Sequence, residues 1–151
     1  MSLKKKFRIK NLDKKKKFQN NAFIVLYDKL KTIKRLTKKY LKDESSESLH
    51  QLRIAIRRFR YTMEIFVDCF KEKDFENAYK LIQYLQDKLG EGRDLDVLEE
   101  KLKLIVESKN ISINDLLDQI NKEKSNIKQT IKEELLKFAE EKETFNFLIK
   151  K

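Results

Sequence analysis

Residues 50–60 read HQLRIAIRRFR and contain four of the seven arginines of the chain and its only histidine. On an α-helix, with about 100° between successive residues, His50, Arg53, Arg57 and Arg60 fall within about 80° of one another. We call these four residues the arginine row. An adjoining apolar stripe predicts the buried face of the same helix; it consists of Leu52, Ile56, Phe59, Met63, Phe66 and Phe70.

The use of arginine in this row is informative because the chain otherwise favours lysine, with 29 lysines against 7 arginines. Guanidinium groups bind phosphate or carboxylate oxygens two at a time, which an ammonium group cannot do. A row of them repels itself unless an anion lies across it. We therefore favour an anion-binding surface. The alternative is a set of structural ion pairs with Glu64 and with acidic residues of neighbouring helices.

The composition predicts an all-α protein. The chain has 151 residues, no proline and two glycines, whereas strand-rich folds need turn residues every few positions. We expect a basic N-terminal arm over residues 1–13 and one helical domain over residues 14–151. The predicted architecture is an antiparallel bundle of about five helices, over residues 14–41, 46–70, 75–89, 94–108 and 114–141. Ser46 or Ser48 is expected to cap the second helix, and Gly90 to end the third with a positive φ.

The charge of the chain is segregated along its length. Residues 1–60 contain 20 Lys and Arg against 5 Asp and Glu, whereas residues 61–151 contain 16 against 20. Such asymmetry favours a polyanionic partner: polyphosphate, nucleic acid or an anionic membrane surface. The longest apolar run, residues 22–27, is too short to span a bilayer. With Cys69 as the single cysteine, expected to be buried and inert, we predict a soluble cytoplasmic protein without membrane association.

Two motifs at a spacing of about thirty residues resemble the CHAD family, the conserved histidine α-helical domain. LHQLRIAIRRFRY at residues 49–61 resembles the family's histidine helix, and LQDKLGEGRDLDVL at residues 85–98 resembles its second motif. The matching positions are His50, Arg53, Arg57, Arg58 and Arg60, then Leu89, Gly90, Arg93, Asp94, Asp96 and Val97. The resemblance covers about residues 15–110.

This resemblance implies a non-enzymatic domain that binds inorganic polyphosphate along a basic channel. Carried over by position, the arginine row would line the channel, with Arg58 beside it. Lys34, Arg35 and Lys38 of the preceding helix would be supporting cations. No cofactor or metal ion is implied.

The chain departs from the family pattern in one respect. Typical members contain two helical halves related by a pseudo-twofold axis, with the channel between them, whereas this chain contains the histidine helix once. It would correspond to one half of the domain. We therefore expect two copies to associate as an isologous homodimer that rebuilds the channel.

Several residues keep two interpretations at this stage. His50 either contacts phosphate or fixes a neighbouring side chain. Asp94 and Asp96 either cap the fourth helix and form ion pairs with Arg93 or a second-helix arginine, which we favour, or hold a divalent cation. Glu64 is the expected internal partner of Arg60, at i+4, or of Arg57, at i+7.

Features absent from the sequence help to choose between an enzyme, a nucleic-acid-binding protein and a protein-binding adaptor. No nucleophile with a base, glycine-rich phosphate loop or metal-ligand cluster is recognisable, so an enzyme is not expected. A generic polyanion-binding or nucleic-acid-binding helical protein is the main alternative. The basic face, however, lacks interleaved exposed aromatic residues for base stacking. A helical adaptor for an acidic protein is a third class.

Overall fold

The computed structural model describes residues 17–109 and 112–149, and this part of the chain is built from helices without any strand. α1 spans Phe18–Asp43, α2 spans Ser46–Ile65, α3 spans Glu72–Lys109, α4 spans Asn114–Glu140, and the short α5 spans Asn146–Ile149. A single 3-10 turn, Val67–Cys69, follows α2. The all-α prediction is confirmed. The predicted arm over residues 1–13 lies outside the described residues.

The four long helices surround one core. α2 packs between α1 and α3, α4 packs on α3, and α1 also contacts α4 and α5, which closes the bundle. The core is lined by the apolar faces predicted from the helical period. Its fully enclosed side chains include Leu26, Ile33, Leu52, Ile56, Phe59, Met63, Ile82, Leu85, Leu89, Ile131, Phe138 and Phe145.

A serine cap and a sharp turn join α1 to α2. Glu44 adopts the left-handed conformation at φ 47°, and its N–H donates to the carbonyl of Tyr40. Ser45, rather than the predicted Ser46 or Ser48, is the N-cap, since its hydroxyl accepts from the N–H of Ser48 at 3.1 Å. Hydrogen bonds from Ser48 and Ser45 hold the pKa of Asp43 below its ordinary value, so this carboxylate stays charged at the start of α2.

The predicted break at the two glycines is wrong. α3 runs through both without interruption for 38 residues, and neither glycine has a positive φ. Each glycine in a helix interior costs about 1 kcal/mol relative to alanine. Tertiary packing outweighs this cost. A Cβ on Gly92 would lie 2.6 Å from Cδ1 of Ile131 and 3.3 Å from Cδ2 of Leu49, so this glycine lets α2 and α4 approach α3 closely.

The two glycines provide a matched test of this packing. Gly92→Ala should lower the free energy of unfolding relative to Gly90→Ala by about 1–3 kcal/mol, the usual cost of overpacking a core. Gly90→Ala should be as stable as the wild type or more so, because its Cβ would meet only Nε of Arg53, at 3.9 Å. Urea unfolding followed by circular dichroism measures both. Equal stability of the two variants would contradict the close approach at Gly92.

Candidate functional site: the arginine row of α2

The arginine row lies on the flank of α2 that faces α3. The space beside Gly90 of α3 is occupied by the Arg53 guanidinium, whereas Lys39 of α1 donates to Gln51 at 3.1 Å. Arg53 and Gln51 are two residues, or about 200°, apart on the helix. These contacts place α1 and α3 on opposite flanks of α2, with the exposed Arg57 between them.

Three members of the row are partly buried and leave polar atoms without a partner. Nδ1 of His50, Nε of Arg53 and Nε of Arg60 are buried and make no hydrogen bond within the described residues. Buried polar groups are usually paired, because an unpaired one forfeits its hydration. These three side chains therefore keep hydrogen-bonding capacity that the described residues do not use.

Only one member of the row has an acidic partner within residues 17–109 and 112–149. Nε of Arg60 lies 3.4 Å from Oε1 of Glu64, as an ion pair without hydrogen-bond geometry. The hydroxyl of Tyr79 on α3 donates to the same oxygen at 2.7 Å. Arg53, Arg57 and Arg58 form no ion pair with any described residue. The structural ion-pair interpretation therefore applies to Arg60 and not to its neighbours.

The Tyr61 side chain is about half exposed and lies beside the row rather than in the core. The Arg60 guanidinium sits 5.2 Å from the centre of the Tyr61 ring, in cation–π contact. Arg60 is thus held from two sides, by this ring and by Glu64.

A stripe on α3 lies opposite the arginine row, and we call the surface between the row and this stripe the groove. Tyr79, Gln86, Gly90 and Arg93 fall within about 60° of one another on the helix. The Tyr79 hydroxyl donates to Glu64, Nε of Arg53 lies where a side chain on Gly90 would point, and Nη1 of Arg93 donates to the Ser46 hydroxyl at 2.9 Å. Oε1 of Gln86 is also buried without a partner among the described residues. The sequence did not single out Tyr79 and Gln86: Tyr79 lies outside both motifs, and Gln86 lies within the second motif but at none of its matching positions.

The supporting cations of α1 divide between two places. Nζ of Lys34 donates to the carbonyl of Glu141, just beyond the C-terminus of α4, at 3.2 Å. Lys34 therefore faces α4 rather than the row. Arg35 lies one turn before Lys39, on the α2 side of α1, and Arg35 and Lys38 are exposed. Arg58 lies two turns after Gln51 on the same side of α2, so Arg35, Lys39 and Arg58 form a second basic strip, on the α1 flank. Lys38, one turn after Lys34, lies outside this strip.

The two acidic residues of the second motif do not pair with the row. Asp96 pairs with Lys124 of α4 at 2.8 Å, and Asp94 is exposed and forms no ion pair with a described residue. Because α3 is continuous, no helix begins at Asp94, and the predicted capping role is wrong. Arg93 lies 3.8 Å from Glu100 in addition to its bond to Ser46. It ties α3 to the first turn of α2.

Three further observations concern metal binding, the single cysteine and membrane spanning. Within residues 17–109 and 112–149, no group of three or more His, Cys, Asp or Glu side chains is arranged to hold a metal ion. Cys69 is buried, and this burial, with the nearby charge of Asp68, raises the pKa of its thiol. None of the helices described has the length and apolar character needed to cross a bilayer.

The fold and the row define a small helical protein with a candidate anion-binding surface on one helix. A family model described as the CHAD domain matches residues 3–103, which is 101 of 151 residues, so the chain belongs to the CHAD domain family. The match begins within the predicted arm and ends before residue 110. Comparisons with curated proteins and with solved structures gave no match.

Unpaired like charges on the row should reduce stability. Arg57→Gln should raise the melting temperature at low salt by about 1–2 °C, because Arg53 and Arg60 each lie one turn away and like charges at that spacing cost about 0.2–0.5 kcal/mol per pair. The gain should vanish in high salt, which screens exposed charges. Differential scanning fluorimetry measures the shift.

The control is Lys80→Gln, since Lys80 pairs with Glu76 at 2.6 Å on an exposed face of α3. This variant should be no more stable than the wild type. A loss of stability in Arg57→Gln would mean that Arg57 is engaged in stabilising contacts.

Proposed function

We propose that this protein binds inorganic polyphosphate on the groove between α2 and α3, without catalysis, and that His50, Arg53 and Arg57 supply the main contacts. Arg58 and Arg35 on the α1 flank add to the attraction, and Lys38, exposed elsewhere on α1, contributes long-range attraction only. The observation that carries this proposal is the exposed Arg57, which has no ion pair within the described residues, beside His50 and Arg53, whose buried Nδ1 and Nε atoms have no hydrogen-bond partner there either. Membership of the CHAD domain family, which is associated with polyphosphate, supports it.

The spacing of the row suits a chain of closely spaced anions. Arg53 lies three residues after His50, and Arg57 four residues after Arg53, so these side chains leave the helix about 4.5 Å and then about 6 Å apart along its axis. Successive phosphates of one chain can therefore meet successive side chains of the row. Each charge-assisted contact of this type contributes about 1.5–3 kcal/mol.

Nucleic acid is the rival ligand, since a basic surface attracts any polyanion. The described residues of the row carry one exposed aromatic neighbour, Tyr61, and its ring is already in contact with Arg60. Binding of single strands relies on several aromatic platforms for base stacking. Polyphosphate needs none.

Competition at physiological salt tests the proposal. Long-chain polyphosphate should displace fluorescently labelled single- and double-stranded DNA from the protein, and should resist displacement by them, at equal phosphate concentration. Arg57→Gln should weaken polyphosphate binding about tenfold, the loss of one charge-assisted contact. No orthophosphate should be released from the polymer during the measurement.

The matched control is Lys101→Gln, which removes one exposed, unpaired cation from the far part of α3. Its affinity should stay within about twofold of the wild type, because a contact outside the groove contributes only screened, long-range attraction. If both variants lost affinity equally, or if polyphosphate and DNA competed equally well at equal phosphate concentration, the binding would reflect diffuse electrostatic attraction to any polyanion.

A second copy of the chain completes the proposed site. The described chain offers one arginine row with a wall on one side only, and the outer face of α2 beside the row exposes Tyr61 and Ile65, the latter 69% exposed. Two copies that meet along this face would enclose a polyphosphate chain between two rows. Anions between the rows would offset their repulsion.

Light scattering at low micromolar concentration tests this association. We expect a dimer, favoured by added polyphosphate, and we expect Ile65→Ser to shift the equilibrium toward monomer. The exposed Leu104, 64% exposed on the far part of α3, provides the control Leu104→Ser, which should dimerise like the wild type. A strict monomer that still binds long polyphosphate tightly would contradict the dimeric site.

A further inference from the structure

The C-terminal end of the arginine row already contains an anion of the chain itself. The Glu64 carboxylate lies 3.4 Å from Nε of Arg60, on the partly buried side of that guanidinium. A carboxylate is the side-chain group that most resembles a phosphate in charge and in acceptor geometry. Glu64 thus already neutralises the guanidinium that follows Arg57 along the row.

The position of Glu64 is fixed by a second helix. The Tyr79 hydroxyl of α3 donates to Oε1 of Glu64 at 2.7 Å, and this hydrogen bond, followed by partial burial, raises the pKa of Tyr79. Tyr79 therefore remains a protonated donor under all ordinary conditions. The carboxylate is bridged between α2 and α3, so it cannot rotate into solvent without losing this bond.

Support of the fold is an incomplete explanation for this arrangement. Ion pairs of partly exposed side chains contribute little to stability, and the Arg60–Glu64 pair lacks hydrogen-bond geometry. Glu64 is also the single acidic residue of the described chain that pairs with any arginine of α2. It neutralises one end of the row and leaves Arg53 and Arg57 unpaired.

We propose that Glu64 acts as an internal anion that occupies the Arg60 end of the row and thereby limits the number of phosphate groups that one protein chain binds. This inference rests on the proposed function. In the wild type, His50, Arg53 and Arg57 contact the polymer, while Arg60 stays with Glu64. The carboxylate also repels a phosphate that would extend past Arg57. Glu64 is thus a specificity-determining residue for the length of polymer in the groove.

The test is a double-mutant cycle between positions 60 and 64, with polyphosphate binding measured by fluorescence competition at several salt concentrations. Glu64→Gln keeps an acceptor for Tyr79 but removes the charge. It should bind about tenfold more tightly, with a salt dependence steeper by about one counterion, because Arg60 becomes available to the polymer. Arg60→Gln should change affinity by less than about twofold in the wild type but should abolish the gain in the Glu64→Gln background.

The matched control is Glu76→Gln, which removes an equal charge from an exposed ion pair with Lys80 on α3. Equal tightening by Glu64→Gln and Glu76→Gln would overturn the inference, because it would reflect net charge alone. The inference would also be overturned if Arg60→Gln lowered the affinity for polyphosphate as much as Arg57→Gln does. Melting temperatures of all variants are measured in parallel. If Glu64→Gln changed only the melting temperature and left the affinity for polyphosphate unaltered, Glu64 would have a structural role instead.

The failures of the two proposals are distinguishable. Polyphosphate binding by the wild type that depends on Arg57, but that Glu64→Gln leaves unchanged, would overturn the inference and leave the proposed function standing. Binding by neither the wild type nor Glu64→Gln would overturn both. Binding that appears only in Glu64→Gln would support the inference in its strongest form, with Glu64 as an inhibitor of the site.

Discussion

The burial of one face of α2 between its neighbours is the constraint on which the rest of the structure depends. Leu52, Ile56, Phe59 and Met63 are fully enclosed, and together they fix the rotation of α2 about its axis. The arginine row lies next to this stripe, so it cannot turn into solvent as a whole. Arg53 and Arg60 are pressed against α3, and only Arg57 is freely exposed. Arg53 and Arg57, which have no ion pair with a described residue, thus stay side by side because the core fixes the helix that carries them.

The sequence predicted the helices well where the apolar residues recurred with the helical period. It predicted them poorly where a helix boundary was inferred from one or two residues. The faces of α1, α2 and α4 follow from their spacing, and the predicted start of α4 at Asn114 is confirmed. Gly90 and Gly92 looked like a helix end. Their true role depends on Ile131 and Leu49, which are distant in sequence, and no local rule reveals that contact. Similarly, α2 ends at Ile65, so Phe66 and Phe70 join the core from a turn rather than from the helix.

The candidate site was predictable in its content but not in its surroundings. Helical spacing alone places His50, Arg53, Arg57 and Arg60 together. Which neighbour covers each flank is decided by tertiary packing, so the commitment of Lys34 to the carbonyl of Glu141 could not be foreseen. Sequence spacing left Glu64 open to Arg60 or Arg57, and Tyr79 of α3 settles the choice by holding the carboxylate beside Arg60. Gln86 is uncharged and matches no motif position, so the sequence did not indicate that it lies beside the row.

The most direct test of the central claim follows the seven arginine Nε–H groups individually by ¹H–¹⁵N NMR while polyphosphate is added. We expect the signals of Arg53 and Arg57 to shift first and most strongly, because their guanidinium groups gain the phosphate partners that the folded chain does not supply. The signal of Arg93, bonded to Ser46, should move little. Uniform small shifts of all arginines, or a response led by Arg35 and Arg93, would contradict a binding site on the arginine row.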